Sequence, residues 1–234
     1  MSYNLSPSPG DGPLSPCLSI VQHNSLGSWD VFLSLFFFNS FSSAKCPPDI
    51  VCSQDPPFWR SHLLFFQNYT SFAPPDGSGN KPKVAFYVSV YLLAQATVVP
   101  SFFDRPDVAA LDVFGVNLFG KSFPHFRILN LYNLWTKSTS QMTVSPLIAF
   151  PVSSFPTLVV GDFNIHHPLP NPLRPHSAKE LATCFPYFSR SSELGFGLLK
   201  QPGGYTRFPL GGSGRPSVLD LSFASHSLLP FCQA

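Results

Sequence analysis

The residues with the clearest chemical potential in this sequence are Asp162 and Asn164, which follow the apolar run 157–160 and Gly161. Apolar, β-prone residues that stop at a glycine predict a buried strand that ends in a loop. Two positions apart, the carboxylate and the amide project to the same side of an extended backbone. Such a pair suits a phosphate group or a hydrated Mg²⁺ ion. The other interpretation is a strand that ends in an Asx turn without any chemical role.

Other predicted strand ends carry polar side chains that could join this pair. Asn24, Asp55 and Asp220 each lie at or near the end of a β-prone segment. Strand ends from distant parts of a sequence often meet at one edge of a sheet, where loops build sites. Two carboxylates and an amide can hold one Mg²⁺ ion while neighbouring groups orient a water and a phosphate. The alternative is that each residue only caps or turns its own loop.

The elements that must position these residues are mostly strands. The pattern predicts strands at 18–24, 49–53, 83–90, 96–99, 110–116, 126–132, 157–160, 204–208 and 217–223, and helices at 28–43 and 177–194. Segments 83–90 and 96–99 are expected to be antiparallel neighbours. Many strands with few helices between them predict two packed sheets with helices outside. Residues 1–16, rich in Pro and Ser, are expected to form a disordered tail.

Composition limits the classes of function. The chain has 234 residues with 44% hydrophobic residues, which predicts a globular protein with a substantial core. Charged residues make up 11% and the net charge is +2, so any affinity for DNA would depend on local Arg and His. The five cysteines form no CxxC pair, which is typical of reduced thiols inside cells. With no signal peptide or membrane span evident, we expect a soluble protein of the nucleus or cytoplasm that is not secreted.

The polar residues occur in a characteristic order along the chain: Asn24, Asp55, Tyr132 in Leu-Asn-Leu-Tyr, Asp162 and Asn164 in GDFNIHHPL, Thr206 after a tyrosine, and Asp220 in Leu-Asp-Leu. Asp55 lies in the string DIVCSQDPPFWRSHL. From about residue 18 to residue 225, this order resembles the endonuclease/exonuclease/phosphatase superfamily, and more narrowly the endonuclease domain of LINE-type (non-LTR) retrotransposon polyproteins. The resemblance implies an α/β fold of the DNase I-like type, a four-layer sandwich in which helices flank two packed, mainly antiparallel β-sheets.

The resemblance also implies an activity, a metal-dependent endonuclease that nicks DNA for retrotransposition. Mg²⁺ or Mn²⁺ would lie between Asn24 and Asp55, where the superfamily more often has Glu at the second position. Asp162 would orient or deprotonate the attacking water, and Asn164 would bind the scissile phosphate. Tyr132 would contact that phosphate or the leaving group, although a strand tyrosine half-buried against the sheet is the plainer interpretation.

Three further residues belong to the resembling motifs. Thr206 would match a threonine that contacts the DNA backbone, although it is also simply a β-former. His166 and His167 follow the Asp-Phe-Asn segment and are expected in a loop that borders the substrate groove. Adjacent residues of an extended loop point apart, so the two imidazoles are not expected to bind one metal ion.

The match fails after Asp220, which in the superfamily orients the histidine of a Ser-Asp-His segment. No Ser-Asp-His occurs, and His226 is the nearest substitute. We therefore expect the last strand to be missing, residues 226–234 to be an aberrant tail from a frame change or premature stop, and activity to be weak or absent. The alternatives to an endonuclease are a catalytically dead retrotransposon remnant, or a phosphoesterase of the same superfamily that acts on inositol phosphates or sphingomyelin.

Overall fold

Strands are the main regular elements of the computed structural model, which describes residues 2–4, 18–30, 33, 47–59, 62–63, 66–74, 81–100, 105–118, 121–136, 141–199, 206 and 218–232. In chain order the strands are β1 (Ser2–Asn4), β2 (Ser19–Asn24), β3 (Ile50–Gln54), β4 (Phe58–Trp59), β5 (His62–Leu63), β6 (Tyr69–Phe72), β7 (Val84–Ser89), β8 (Gln95–Val98), β9 (Val108–Leu118), β10 (Lys121–Tyr132), β11 (Trp135–Thr136), β12 (Gln141–Met142), β13 (Thr157–Asp162), β14 (Phe196–Leu198) and β15 (Asp220–Ser225). The described helices are α1 (Pro146–Ala149), α2 (Ala178–Glu193) and a 3₁₀ helix at Leu229–Phe231.

Two sheets contain most of these strands. The first sheet has the order β1-β2-β3-β7-β6, and the second has the order β14-β15-β13-β10-β9-β8. In the first sheet β2 and β3 are parallel, so Asn24 and Gln54 end side by side. In the second sheet β13 runs parallel to β10 and antiparallel to β15.

Three layers of apolar side chains organise the two sheets. One cluster lies between the sheets and includes Ile50, Phe86 and Ile128. A second packs the other face of the second sheet against α2, and a third covers the outer face of the first sheet. Because side chains alternate along a strand, β13 and residues 128–132 of β10 are buried on both faces. The predicted α/β class with two packed sheets and outer helices is confirmed.

Most predicted strands are present, but one pairing is wrong. Segment 83–90 was expected to pair with 96–99, whereas β7 pairs with β3 and β6 in the first sheet and β8 pairs with β9 in the second. The reason is that the turn after β7 carries the chain from one sheet to the other. It is closed by hydrogen bonds from Val90 N to Asn68 O (2.9 Å) and from Leu92 N to Ser89 O (3.1 Å).

Helix α2 confirms the prediction for residues 177–194. The side chain of Ser177 caps the first turn by accepting a hydrogen bond from the backbone N–H of Glu180. The side chain of Glu180 accepts one from the backbone N–H of Ser177, which completes a capping box. The helix predicted at 28–43 and the strand at 204–208 lie largely outside the described residues.

Both ends of the chain have described residues that pack against the sheets. Ser2–Asn4 pairs with residues 19–21 as β1, whereas residues 5–16 lie outside the described ranges. After β15, Leu228 is buried, and the ring of Phe231 packs edge-on against Phe123 with 5.1 Å between centroids. The segment 226–232 therefore packs on the core between the sheets, and its origin in a frame change or premature stop stays a prediction.

Two smaller expectations concern thiols and membranes. The cysteines in the described ranges, Cys52, Cys184 and Cys232, are free, as expected for reduced thiols. Cys17 and Cys46 lie outside those ranges. No helix among the described residues is long and apolar enough to cross a membrane.

Buried amides connect the two sheets. The side chain of Asn130 in β10 is fully buried and donates to the carbonyl oxygens of Ser53 and Ala85, both at 3.0 Å. It also accepts a hydrogen bond from Gln54 Nε2 at 2.5 Å. Ser222 Oγ of the second sheet donates to an amide oxygen of the first, Gln22 Oε1, at 2.9 Å. These directional bonds fix one placement of the first sheet on the second.

Replacing Asn130 with Ala should lower the free energy of unfolding by about 2–4 kcal/mol, because it opens a cavity and removes partners from buried polar groups. Urea denaturation measures this change. Asn117→Ala is the control, since Asn117 lies exposed on the adjacent strand β9. It should change stability by no more than about 0.5 kcal/mol. Equal losses in the two variants would contradict the role given to Asn130.

Candidate active site

A row of three side chains that the sequence predicts as site residues crosses the end of the second sheet. Tyr132 in β10 is in register with Asp162 in β13, and Asp162 is in register with Asp220 in β15. Residues in register on neighbouring strands are about 5 Å apart and point to the same face. Tyr132 belongs to the cluster between the sheets, so the row faces the first sheet. Residues separated by up to 88 positions in the sequence thus share one edge, as their positions at strand ends predicted.

Asp162 uses both carboxylate oxygens. Oδ2 accepts a hydrogen bond from Asn24 Nδ2 of the first sheet at 2.8 Å, and Oδ1 accepts one from the backbone N–H of Asn164 at 2.9 Å. The second bond is an Asx turn, which was the alternative interpretation of this segment. The structure therefore contains both the turn and the cluster of site residues.

The backbone after Asp162 is not extended. Asn164 has φ +50°, a left-handed conformation that Asn adopts more readily than most residues. The extended backbone assumed for this pair therefore ends at Asp162, the last residue of β13, and Asn164 lies in the following turn.

Gly161 is required by the close approach of β10. A Cβ atom at this position would overlap the carbonyl oxygen of Leu131 and lie 2.8 Å from Leu131 Cγ. Backbone atoms of a central strand cannot move aside without disturbing the sheet. The glycine of the Gly-Asp-Phe-Asn segment thus lets β13 pair with β10 so that Asp162 and Tyr132 are neighbours.

Two loops of the first sheet complete this end of the molecule. Asn24 accepts a hydrogen bond from the backbone N–H of Leu26 on its Oδ1 atom at 3.0 Å. Asp55 follows β3, and its Oδ1 atom lies 2.9 Å from Lys83 Nζ. Its backbone carbonyl accepts from Gly27 N at 2.9 Å. The predicted metal pair is therefore brought into adjoining loops, with no direct hydrogen bond described between Asn24 and Asp55.

Backbone strain is concentrated in these loops. The non-glycine residues of the described ranges with positive φ are Leu26 (+51°), Asp55 (+44°) and Asn164 (+50°). All three lie in turns at the end of the sheets that holds Asp162. Residues in such conformations cost free energy and tend to cluster at functional sites.

The phenol of Tyr132 is shielded from water and faces negative charge. Burial, as the largest cause, and the carboxylates of Asp55, Asp162 and Asp220 together raise its pKa to about 12. All three carboxylates thus act on one hydroxyl group, which remains protonated at neutral pH and can donate a hydrogen bond.

Thr206 supports the row from its edge. Its Oγ1 atom accepts hydrogen bonds from the backbone N–H groups of Leu219 at 3.0 Å and Asp220 at 3.1 Å. These bonds position the first residue of β15. The structure gives Thr206 this local role, and its contact with DNA stays a prediction.

The three histidines named from the sequence are not grouped. The imidazole of His167 is buried and stacks on Phe188 with 3.7 Å between ring centroids. This burial lowers the pKa of the ring. A place for His167 beside bound substrate stays a prediction. His166 lies within 2.9 Å of Arg174 Nη1, and Arg174 Nη2 in turn lies 2.5 Å from Glu180.

His226 lies too far from the row to replace the missing histidine. It follows β15, whose first residue is Asp220 and whose last is Ser225, so the strand separates the two by about 17 Å. The His226 ring lies beside Gly195, where an added Cβ would be 3.3 Å from Nδ1.

The donors at Asn24 and Asp55 are oxygen atoms, which is the chemistry that Mg²⁺ prefers. Within the described ranges, no group of three or more His, Cys, Asp or Glu side chains is close enough to hold a metal ion. Mg²⁺ commonly takes only one or two carboxylates and keeps several waters. The two residues therefore fit a largely hydrated ion.

Sequence reasoning missed Lys83, whose ammonium group forms an ion pair with the carboxylate of Asp55. No motif marks this lysine, which stands 28 positions after Asp55 and precedes an ordinary strand. Only the pairing of β7 with β3 reveals that the two residues are neighbours.

Comparison with solved structures identifies the fold. The chain is similar to the endonuclease domain of TRAS1, a telomere-specific non-LTR retrotransposon, with a TM-score of 0.62 and 13% sequence identity over 90% of this chain and 86% of that one. The chain has the DNase I-like fold. A second structure with this likeness is the catalytic domain of APE2 from Xenopus laevis, with a TM-score of 0.60 and 12% identity over 90% of this chain and 83% of that one. No family model matches the sequence, and no curated protein matches it. At these identities the similarity establishes the DNase I-like fold alone.

Gly161→Ala should lower the free energy of unfolding by about 3 kcal/mol, because the new methyl group meets the backbone of Leu131. Thermal or urea denaturation measures the change. Gly197→Ala provides the matched control, since its Cβ would meet the end of the Leu229 side chain, which can rotate away. If Gly161→Ala lowered the free energy of unfolding less than Gly197→Ala, the close approach of β13 to Leu131 would not be what requires a glycine here.

Because the pKa of Tyr132 is raised in the folded chain, the stability of the protein should fall at alkaline pH. The unfolded chain loses the phenol proton near the ordinary pKa of about 10, whereas the folded chain keeps it up to about 12. Tyr132 therefore contributes its full stabilising free energy below the pKa of the unfolded chain. This stabilisation is lost as the pH rises from the pKa of the unfolded chain to that of the folded chain. Urea denaturation across that range should show a smaller loss of stability for Tyr132→Phe than for the wild type. Tyr69 and Tyr87, whose pKa values are also raised, contribute equally to both proteins. Equal losses of stability in the two proteins would therefore contradict the raised pKa of Tyr132.

Proposed function

We propose that this protein is a metal-dependent phosphodiesterase that nicks DNA, in the manner of a non-LTR retrotransposon endonuclease. The observation that carries the proposal is the row Tyr132, Asp162 and Asp220, bridged to the first sheet by the hydrogen bond from Asn24 to Asp162. An acidic group, an amide and a phenol at the open end of a two-sheet sandwich are suited to attack on a phosphate ester by water. The DNase I-like fold, shared with a structure described as an endonuclease domain, supports the same function.

Each residue has a role consistent with its surroundings. Asp162 accepts the proton of the attacking water or orients that water, while Asn24 and the Asn164 amide hold the carboxylate in place. Tyr132, protonated at neutral pH, donates a hydrogen bond to the phosphate or to the departing oxygen. The side chain of Asn164 contributes a donor to the scissile phosphate.

Asn24 and Asp55 would hold Mg²⁺ or Mn²⁺ through their side-chain oxygens. A divalent ion there supplies positive charge that neutralises the phosphate. Asp220 completes the carboxylate set, and Thr206 fixes its backbone. We expect turnover to be slow, because His226 is placed at the opposite end of β15 and cannot act as the general acid.

Basic side chains on aromatic rings, close in sequence to Asp55 and Tyr132, support DNA as the partner. Lys81 Nζ lies 5.9 Å from the centroid of Phe58, shortly after Asp55 in the chain. Lys179 Nζ lies 5.2 Å from the centroid of Trp135, which is 38% exposed and follows Tyr132 by three residues. Ammonium groups can contact phosphates and an exposed indole can stack on a base. These local cations compensate for the low overall charge.

Nicking of supercoiled plasmid in Mg²⁺ tests the function. Asp162→Asn keeps the size of the side chain and removes the base, so the rate should fall by about 10²-fold or more. Glu193→Gln is the control, since this carboxylate is 64% exposed at the end of α2 and should leave the rate unchanged. Chelation of the metal should abolish nicking in the wild type.

Other outcomes would separate the alternatives. Plasmid that stays intact at every pH in Mg²⁺ or Mn²⁺ would refute the endonuclease and favour a catalytically dead remnant. Release of phosphate from a small inositol phosphate, with the plasmid intact, would instead indicate a phosphoesterase for small substrates.

A further inference from the structure

The backbone of Asp55 is fixed on two sides. Its N–H donates to Lys83 O at 2.8 Å, and its carbonyl accepts from Gly27 N at 2.9 Å. A Cβ atom added to Gly27 would lie 3.5 Å from Asp55 Oδ2. One carboxylate oxygen therefore faces the turn that follows Asn24, and the other faces Lys83.

Lys83 places a positive charge on this carboxylate. Its Nζ atom lies 2.9 Å from Asp55 Oδ1, and the two side chains are 38% and 24% exposed. The same backbone bond that fixes Asp55 also fixes Lys83, so the two side chains start from adjoining points. An ammonium group has three donors and no acceptor, so it can only satisfy the carboxylate and cannot itself bind a metal ion.

We propose that Lys83 competes with the divalent metal for the carboxylate of Asp55 and thereby sets the metal concentration at which the site fills. The proposal rests on the proposed function in one respect, the choice of Asn24 and Asp55 as the metal pair. A divalent ion must either displace the ammonium group from Asp55 or bind beside its positive charge. Both routes weaken metal binding relative to a site without the lysine.

Lys83 is a positioning residue in this scheme, and a purely structural role predicts something different. Exposed ion pairs of this kind contribute little to stability. Loss of a lysine with only a structural role would lower the free energy of unfolding slightly and leave the metal affinity unchanged. Loss of a competing lysine must raise metal affinity.

Binding of Mn²⁺ to the whole chain, measured by titration calorimetry or by loss of the free-ion electron paramagnetic resonance signal, tests the competition. Lys83→Gln should bind Mn²⁺ about fivefold more tightly than the wild type, as expected for release of a partly exposed ion pair. Lys83→Arg retains the charge and should stay at the wild-type affinity. Adding Asp55→Asn to Lys83→Gln should remove the gain.

Lys81→Gln is the matched control. Lys81 lies two residues away in the same segment and is exposed, and its described contact is with Phe58. If Lys81→Gln tightened binding as much as Lys83→Gln, the effect would be one of net charge and the proposal would fail. Equal affinity of Lys83→Gln and the wild type would overturn it, and so would the absence of Mn²⁺ binding in both.

Plasmid nicking, measured in parallel, separates this proposal from the proposed function. Nicking that needs Asp162, together with a metal affinity insensitive to Lys83, would remove the competition and keep the nuclease. Tighter Mn²⁺ binding by Lys83→Gln without any nicking would keep the competition and remove the nuclease.

Discussion

The relative placement of the two sheets is the constraint on which the site depends. Apolar packing between sheets is not directional, so it would tolerate a shift of one sheet over the other. The buried amide of Asn130 does not tolerate such a shift, because its three hydrogen bonds reach the backbone and side chains of β3 and β7. With this placement fixed, Asn24 of the first sheet meets Asp162 of the second. A polar group in an apolar interface therefore determines the geometry of a polar site at its edge.

The site also depends on conformations that ordinary propensities disfavour. Three turns at the same end contain non-glycine residues with positive φ, and Gly161 permits an approach that no other residue allows. The surrounding sheets compensate for this cost, since β3, β13 and residues 128–132 of β10 are buried. Rigid central strands and strained turns together hold the side chains in place without long helices.

Much of this arrangement could be predicted from local pattern. Apolar runs that end in polar residues located β2, β3, β10, β13 and β15, and the order of motifs indicated the fold. The pattern could not reveal contacts set by topology. The pairing of β8 with β9, the ion pair of Lys83 with Asp55 and the distance of His226 from Asp220 each depend on which strands are neighbours. The stacking of His167 on Phe188 likewise depends on where α2 packs and could not be predicted from the motif.

The hydrogen bond between Asn24 and Asp162 joins residues 138 positions apart, and the one between Gln22 and Ser222 joins residues 200 positions apart. Bringing together residues that are so far apart in the sequence costs loop-closure entropy before the contact stabilises the chain. A fold built from such contacts therefore forms slowly. The chain must close both sheets before its chemistry can exist. A fragment that lacks either sheet would therefore keep only part of the motifs and could not form the site, and partly folded chains would expose β-strand edges to one another.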